Sequence, residues 1–338
     1  MTKVATTLAL LQQLGPQYRF ETRVLAAGVR RDGVLDGDLV VEAGSDPVLV
    51  YENAFVILGA LRSLGLRRVE GRLRVRGPLI FNWRSDPAGR RLQRVLSGLD
   101  GAAAWPAVQA ERKELAGREL GEVGLAFGGR RGSERHPPAE VLVVHGSPPL
   151  TRIVKVLNGY SNNVFHPLSE HIGGPAAVQR IARERVAPAM RAAIVIDNAA
   201  GAGKTNRLSP RAVVALLEAL DREVSAHGLS LVDVLPVAGI DPGTLRDRLD
   251  DPAHRGTVVG KTGTIGSLGV SALAGVMRTR RYGQVTFALL NRGVPIAEAR
   301  RRQDAFTRAL ARAGDAVSWP YRRGEAPAFT EARLDGGD

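Results

Sequence analysis

The chain begins with one helix and ends with another, and a pair of strands precedes the closing helix. Val4, Leu8 and Leu11 fall at i, i+4 and i+7, and Gly15-Pro16 stops the run, so Thr2 to Leu14 is predicted to be helical. Ile296 to Ala313 reads as an amphipathic closing helix. Ahead of it, Val270 to Val276 and Gln284 to Leu290 are expected to pair as a hairpin, and Thr257 to Val259 is a further strand across a Gly/Thr turn. Helices at both ends around a late antiparallel hairpin require a mixed helix–sheet fold of the α+β class.

Between these ends the pattern changes twice. From Tyr18 to Phe81 short strands and turns dominate, among them Gly33 to Val41 and the cleanly alternating Gly71 to Gly77, with helical spacing from Glu52 to Leu64. Asp86 to Pro138 is rich in Gly, Arg and Glu and reads as loop, and Val141 to Val144 as a short strand. Ala192 to Ile196 is a buried-strand candidate. Ser209 is an N-cap with Pro210 at N1 for a helix through Leu220.

The formal charge of +13 raises the question of nucleic acid. Only five of the basic residues are lysines (Lys3, Lys113, Lys155, Lys204 and Lys261), and the arginines are scattered singly among Ala, Gly and Val. At 5% aromatic content there is no base-stacking platform, so no nucleic-acid partner is expected. No apolar run is long enough to span a bilayer, and no signal peptide opens the chain. The six histidines (His136, His145, His166, His171, His227 and His254) lack ligand spacing, so neither metal nor cofactor is expected. With no cysteine, thiolate chemistry is excluded.

Three polar elements remain. Lys261-Thr262-Gly263-Thr264 lies beside a strand. A cation followed by a hydroxyl and a glycine can hold a substrate carboxylate, with a backbone N–H left for an oxyanion hole. Ser161-Asn162-Asn163 has the form Ser-x-Asn, a hydroxyl and an amide suited to proton relay and to binding a peptide carbonyl. Lys3 stands one turn into the first helix, where the lysine of a Ser-x-x-Lys element would activate its serine. Taken singly, each is an ordinary turn or surface residue.

In this order the three elements match those shared by penicillin-binding proteins and serine β-lactamases. The surrounding text resembles the class C, low-molecular-mass penicillin-binding proteins, which are D-alanyl-D-alanine carboxypeptidases and endopeptidases. The resemblance is carried by Lys3 to Thr7, Leu14 to Phe20, Gly37-Asp38-Leu39 and Gly44 to Pro47, then by Tyr160 to Asn163 and Asn206 to Pro210. Leu235 to Asp241, Gly243 to Leu249, Lys261 to Thr264 and Phe287 to Asn291 complete it.

The resemblance implies a transpeptidase/β-lactamase-like catalytic domain from residues 1–18 plus 144–320, a strand-rich inserted domain at 19–143, and a C-terminal tail at 321–338. It also implies catalytic roles for Lys3 (base), Ser161 (proton relay), Asn163 (substrate amide) and Lys261. Thr262, Gly263 and Thr264 would bind substrate: Lys261 and Thr262 at its terminal carboxylate, Thr264 through its N–H in the oxyanion hole. The implied partners are a peptidoglycan peptide ending in D-Ala-D-Ala and, for a full-length form, β-lactams; the implied location is periplasmic or otherwise extracytoplasmic.

The Ser-x-x-Lys spacing puts the nucleophilic serine immediately before Met1, since Thr2 is wrongly spaced. The family carries an export signal and a strand hairpin before that serine. The expectation is therefore an upstream start, with in-frame codons reading Pro-Ala-Ser, and a chain inactive as given; a sheet lacking those strands would expose an edge. The alternative is a non-catalytic cell-wall-peptide-binding relative. A remote alternative is a P-loop NTPase at Gly201 to Thr205, although that pattern needs glycine where Asn198 stands.

Overall fold

The computed structural model describes residues 1–111, 115–130, 139–161, 163–324 and 333–336; Lys113, His136 and Asn162 lie outside them. The chain divides into two compact units, Met1–Tyr18 with Leu150–Glu325, and Arg19–Pro149 with Ala326–Asp338.

The first unit is organised around the N-terminal helix, Thr2–Leu14, in which every residue from Thr2 to Leu11 is buried. A helix covered on all sides belongs in a core, and helices Gly174–Glu184 and Pro210–Ala226 pack against it. Gly15 ends it at φ 82, a conformation that suits glycine, with its N–H donating to the Leu11 carbonyl.

Four polar side chains enter the core on this helix, and each finds a partner, as buried polar groups must. Asn206 Nδ2 donates to Thr2 Oγ1 at 2.9 Å, and Lys3 Nζ donates to the Tyr160 carbonyl at 3.3 Å. Thr6 Oγ1 donates to the Ala199 carbonyl at 2.7 Å, and Thr7 Oγ1 accepts from Asn158 Nδ2 at 3.0 Å.

The sheet of this unit is an antiparallel meander of Val258–Ile265, Val270–Thr279 and Gly283–Arg292. Every residue of the middle strand from Ser271 to Met277 is buried, so both its faces are covered. Leu273 and Met277 share a core with Leu245, Leu249 and Ala311. The closing helix, Ile296–Gly314, buries a stripe of Ala299, Gln303, Thr307 and Ala311 at four-residue spacing. The Lys261 strand is longer than Thr257 to Val259. It has a partner for every residue through Ile265, so Lys261 to Thr264 are strand rather than turn.

Other local signals held unequally. Ser209 caps the helix Pro210–Ala226, its Oγ accepting the Ala212 N–H at 3.2 Å. Ala192 to Ile196 yields only the two-residue strand Ile194–Val195, paired with Arg207–Leu208, because the chain then turns into a side-chain-stapled loop.

The second unit is built on a long hairpin, Glu21–Arg31 with Val34–Ala43. Its turn is Asp32-Gly33, with φ of 51 and 81, the left-handed pair that matches the strands' twist. Helix Tyr51–Ser63 then crosses over, so that Leu73–Arg76 pairs parallel to Val34–Ala43. On the other side, strand Glu140–Gly146 pairs antiparallel to Glu21–Arg31. Arg333–Gly336, read from the sequence as tail, adds a strand beyond Glu140–Gly146.

The stretch read as loop, Asp86 to Pro138, contains helices Arg90–Leu96, Trp105–Glu111 and Leu120–Val123. Their Leu92, Val95, Leu96, Trp105, Val108 and Val123 enter this unit's core. Helices of two turns or fewer are too short for a period to stand out.

Asn158 also donates to the Val234 carbonyl at 3.0 Å, which fastens helix Leu150–Gly159 inside the first unit. Asn158→Ala leaves two buried acceptors without that donor. The expected cost is about 1–3 kcal/mol in urea unfolding, with Tyr160 and Ser161, which follow this helix, loosened.

Candidate active site

A cleft of about 680 Å³ opens in the first unit. Lys3, Ser161, Asn163, Lys261, Thr262, Gly263 and Thr264 all line it, although they come from three distant parts of the chain. Three local features bring them there. The buried first helix presents Lys3 from its first turn; helix Leu150–Gly159 ends directly before Tyr160 and Ser161; and the Lys261 strand brings its polar run along the same cleft.

The two lysines define its electrostatics. Lys3 is 7% exposed, with its Nζ 5.4 Å from the Phe165 ring centroid as well as on the Tyr160 carbonyl. Burial lowers its pKa to about 8. Lys261 is 4% exposed and donates to the Thr262 carbonyl at 2.9 Å. Its pKa falls to about 7, chiefly through burial and further through the charge of Lys3. Two like charges facing one cleft resist being ionised together, and the more deeply buried Lys261 gives up its proton first. Lysines so perturbed inside a cleft mark a functional site.

None of the residues lining the cleft carries a carboxylate, while Arg207, Arg292 and Arg300 join the two lysines there. The cleft therefore favours an anionic ligand. Gly263 lies against Met1: a Cβ built on it would meet the Met1 N at 3.4 Å, the Met1 Cε at 3.5 Å and the Ala272 Cβ at 3.7 Å, all ordinary contacts, so the protein's own packing tolerates alanine there. Among the described residues, no three His, Cys, Asp or Glu side chains stand close enough together to hold a metal ion.

With this geometry in view, comparison with known proteins is decisive. The model of the D-Ala-D-Ala carboxypeptidase 3 (S13) family matches residues 1–80 and 102–313. The chain belongs to the S13 family. The D-alanyl-D-alanine carboxypeptidase DacB of Haemophilus influenzae is 23% identical over 381 residues, covering 84% of this chain and 78% of the relative.

Solved structures agree in fold. The predatory endopeptidase Bd0816 of Bdellovibrio bacteriovorus, in complex with immunity protein Bd3460, superposes with a TM-score of 0.78 at 21% identity, over 98% of this chain and 92% of that one. The penicillin G-acylated predatory endopeptidase Bd3459 of the same organism, also with that immunity protein, gives 0.80 at 19%, over 97% and 88%. Penicillin-binding protein 4 of H. influenzae gives 0.62 at 19%, over 91% and 90%.

Several residues at or behind this S13 cleft had no role assigned from the sequence, although Asn206, Thr244 and Asn291 lie in segments that carried the resemblance. Asn206 is the staple of one wall. Its Oδ1 accepts the N–H groups of Asp197 and Asn198 at 2.9 Å, while its Nδ2 reaches Thr2. Thr244 Oγ1 lies 2.6 Å from Thr262 Oγ1. Arg300 donates to Thr264 Oγ1 at 3.3 Å, and Gln303 Nε2 holds Asn291 Oδ1 at 2.8 Å. Their partners lie far away in sequence, so no local spacing announces them.

The Gly201 to Thr205 loop does not act as a phosphate cradle. Asn198 Oδ1 accepts the N–H groups of Ala200 and Ala202 at 3.0 Å, and the next helix starts only at Pro210, so no helix N-terminus follows Lys204.

The lowered pKa of Lys261 has a stability consequence. Between its folded value of about 7 and its unfolded value near 10.5, the unfolded chain binds the extra proton, so stability rises with pH through that window. Lys261→Met removes the buried charge. The variant is expected to be more stable than wild type by on the order of a few kcal/mol at pH 7 and below, with the difference shrinking toward pH 10. Denaturant unfolding at pH 6, 8 and 10 measures this, and a constant difference would contradict it.

Proposed function

We propose that the first unit carries serine-type D-Ala-D-Ala carboxypeptidase or endopeptidase chemistry on peptidoglycan stem peptides, outside the cytoplasm. The observation that carries the reading is the convergence of Lys3, Ser161 and Lys261 on one cleft without carboxylates. Family membership supplies the reaction class.

On this reading, Lys261 and Thr262 anchor the terminal carboxylate of the substrate, and the lack of a Cβ at Gly263 lets the peptide lie close against the strand. A serine one residue ahead of Met1 would share a helix face with Lys3, three residues on. Lys3, deprotonated in appreciable fraction near neutral pH because its pKa is about 8, takes the serine proton as the oxygen attacks the scissile carbonyl. The Thr264 N–H stabilises the oxyanion. Ser161 relays the proton to the departing D-alanine amine, Asn163 holds the substrate amide, and water then hydrolyses the acyl-serine.

Penicillin presents the same carboxylate and a strained amide, so the serine that attacks the peptide is also the one it acylates. The 338-residue polypeptide supplies base, relay and anchor. Labelled penicillin is expected to leave it without a covalent adduct, and to acylate a version extended by a residue run ending in serine. Lys3→Ala in the extended version is expected to lower the acylation rate by at least 100-fold. Intact-mass spectrometry reads each result, and an adduct on the unextended chain would overturn the assignment of Lys3. Gly263→Ala is expected to unfold at nearly the same denaturant concentration as wild type, yet to lose binding of a D-Ala-D-Ala peptide in an NMR titration.

A further inference from the structure

Thr244 sits where the two polar elements of the cleft meet. Its backbone N–H donates to the Gly159 carbonyl at 2.9 Å, just ahead of the Ser161 turn. Its hydroxyl lies 2.6 Å from the Thr262 hydroxyl on the Lys261 strand and 3.3 Å from the same Gly159 carbonyl. The residue before it, Gly243, has φ 110, and a Cβ there would sit 2.0 Å from the Gly159 oxygen. Only glycine allows this approach, so the Gly243-Thr244 pair is pressed against the end of the helix Leu150–Gly159.

A bound anion fixes the direction of the hydrogen bond between Thr244 and Thr262. A threonine hydroxyl has one proton to give. The Gly159 carbonyl has lone pairs for both the Thr244 N–H and its hydroxyl. The shorter contact, however, is to Thr262 Oγ1 at 2.6 Å, and once Thr262 gives its own proton to a bound carboxylate only Thr244 can be the donor of that contact. With its oxygen thus engaged as an acceptor, Thr262 turns its own proton toward the cleft. An anion there completes a chain from Thr244 O–H to Thr262 Oγ1, and from Thr262 O–H to the anion, each bond polarising the next.

We infer that Thr244 is a positioning residue that aims the Thr262 hydroxyl at the substrate's carboxylate and so contributes to the cleft's preference for a free C-terminus. This rests on the reading of Lys261 and Thr262 as the carboxylate anchor. A threonine in this place does more than pack, because a side chain of the same shape without the hydroxyl would leave Thr262 free to point its proton back at the protein.

The test is binding to the 338-residue chain, which needs no covalent step. An N-acylated peptide ending in D-Ala-D-Ala and its C-terminal carboxamide are titrated by NMR against wild type, Thr244→Val, Thr244→Ala and Thr244→Ser, each shown to be folded by circular dichroism. Wild type is expected to prefer the carboxylate. Thr244→Val and Thr244→Ala are each expected to weaken carboxylate binding by roughly five- to tenfold while leaving the carboxamide unchanged, and Thr244→Ser to retain wild-type affinity for both. The alanine variant keeps the test alive should valine disturb folding.

If wild type prefers the carboxylate but the hydroxyl-free variants change both ligands alike, or neither, the anchor stands and the role of Thr244 falls. If wild type itself does not tell carboxylate from carboxamide, the anchor falls and takes the inference with it.

Discussion

The first unit depends on one requirement: the polar groups of a helix buried on every side must be satisfied inside the core. An unpartnered polar group in such a place costs about 1–3 kcal/mol. Thr2, Lys3, Thr6 and Thr7 avoid that cost through Asn206, Tyr160, Ala199 and Asn158, and these partners lie on segments that build or border the cleft. The helix thus acts as a template. Its apolar residues fill the core, while its polar residues decide where the Asp197–Asn206 loop and the Tyr160 turn must rest.

The same economy explains why the cleft is cationic without being crowded by acids. Elsewhere arginines pair with neighbouring carboxylates, as Arg248 does with Asp304 and Arg302 with Glu298. In the cleft the two lysines are held by carbonyl oxygens and, for Lys3, by the Phe165 ring, and burial pushes both below their ordinary pKa. Strain of this kind concentrates at functional sites, where stability is given up for a group ready to react or bind. An arriving carboxylate returns part of that cost to the ligand as affinity.

How much of this the sequence revealed follows from the range of each interaction. The first helix, the Ser209 cap and the final hairpin are local matters of period and spacing, and they read correctly. The chain order of Lys3, Ser161-x-Asn163 and Lys261-Thr-Gly was enough to suggest one site. The Lys261 strand ran longer than its apolar residues suggested, because ladder bonds from the Val270–Thr279 strand hold even Gly263 and Thr264 in register. The parallel pairing of Leu73–Arg76 escaped notice, since alternation does not say which way a partner runs. Asn206 and Thr244 stood in segments that carried the resemblance, but nothing local announced their roles. Each does its work through partners on other segments, Thr2 and Asn198 for one, Gly159 and Thr262 for the other.

The placement of Lys3 on a central helix rather than on a surface loop has a thermodynamic corollary. Loop-borne sites can open by local fluctuation while the rest of a domain stays intact. Here Lys3 stands on a helix buried from Thr2 to Leu11, so its surroundings are part of the core. Occupancy of the cleft is therefore linked to the global unfolding equilibrium, and a bound ligand raises the stability of the entire unit by mass action.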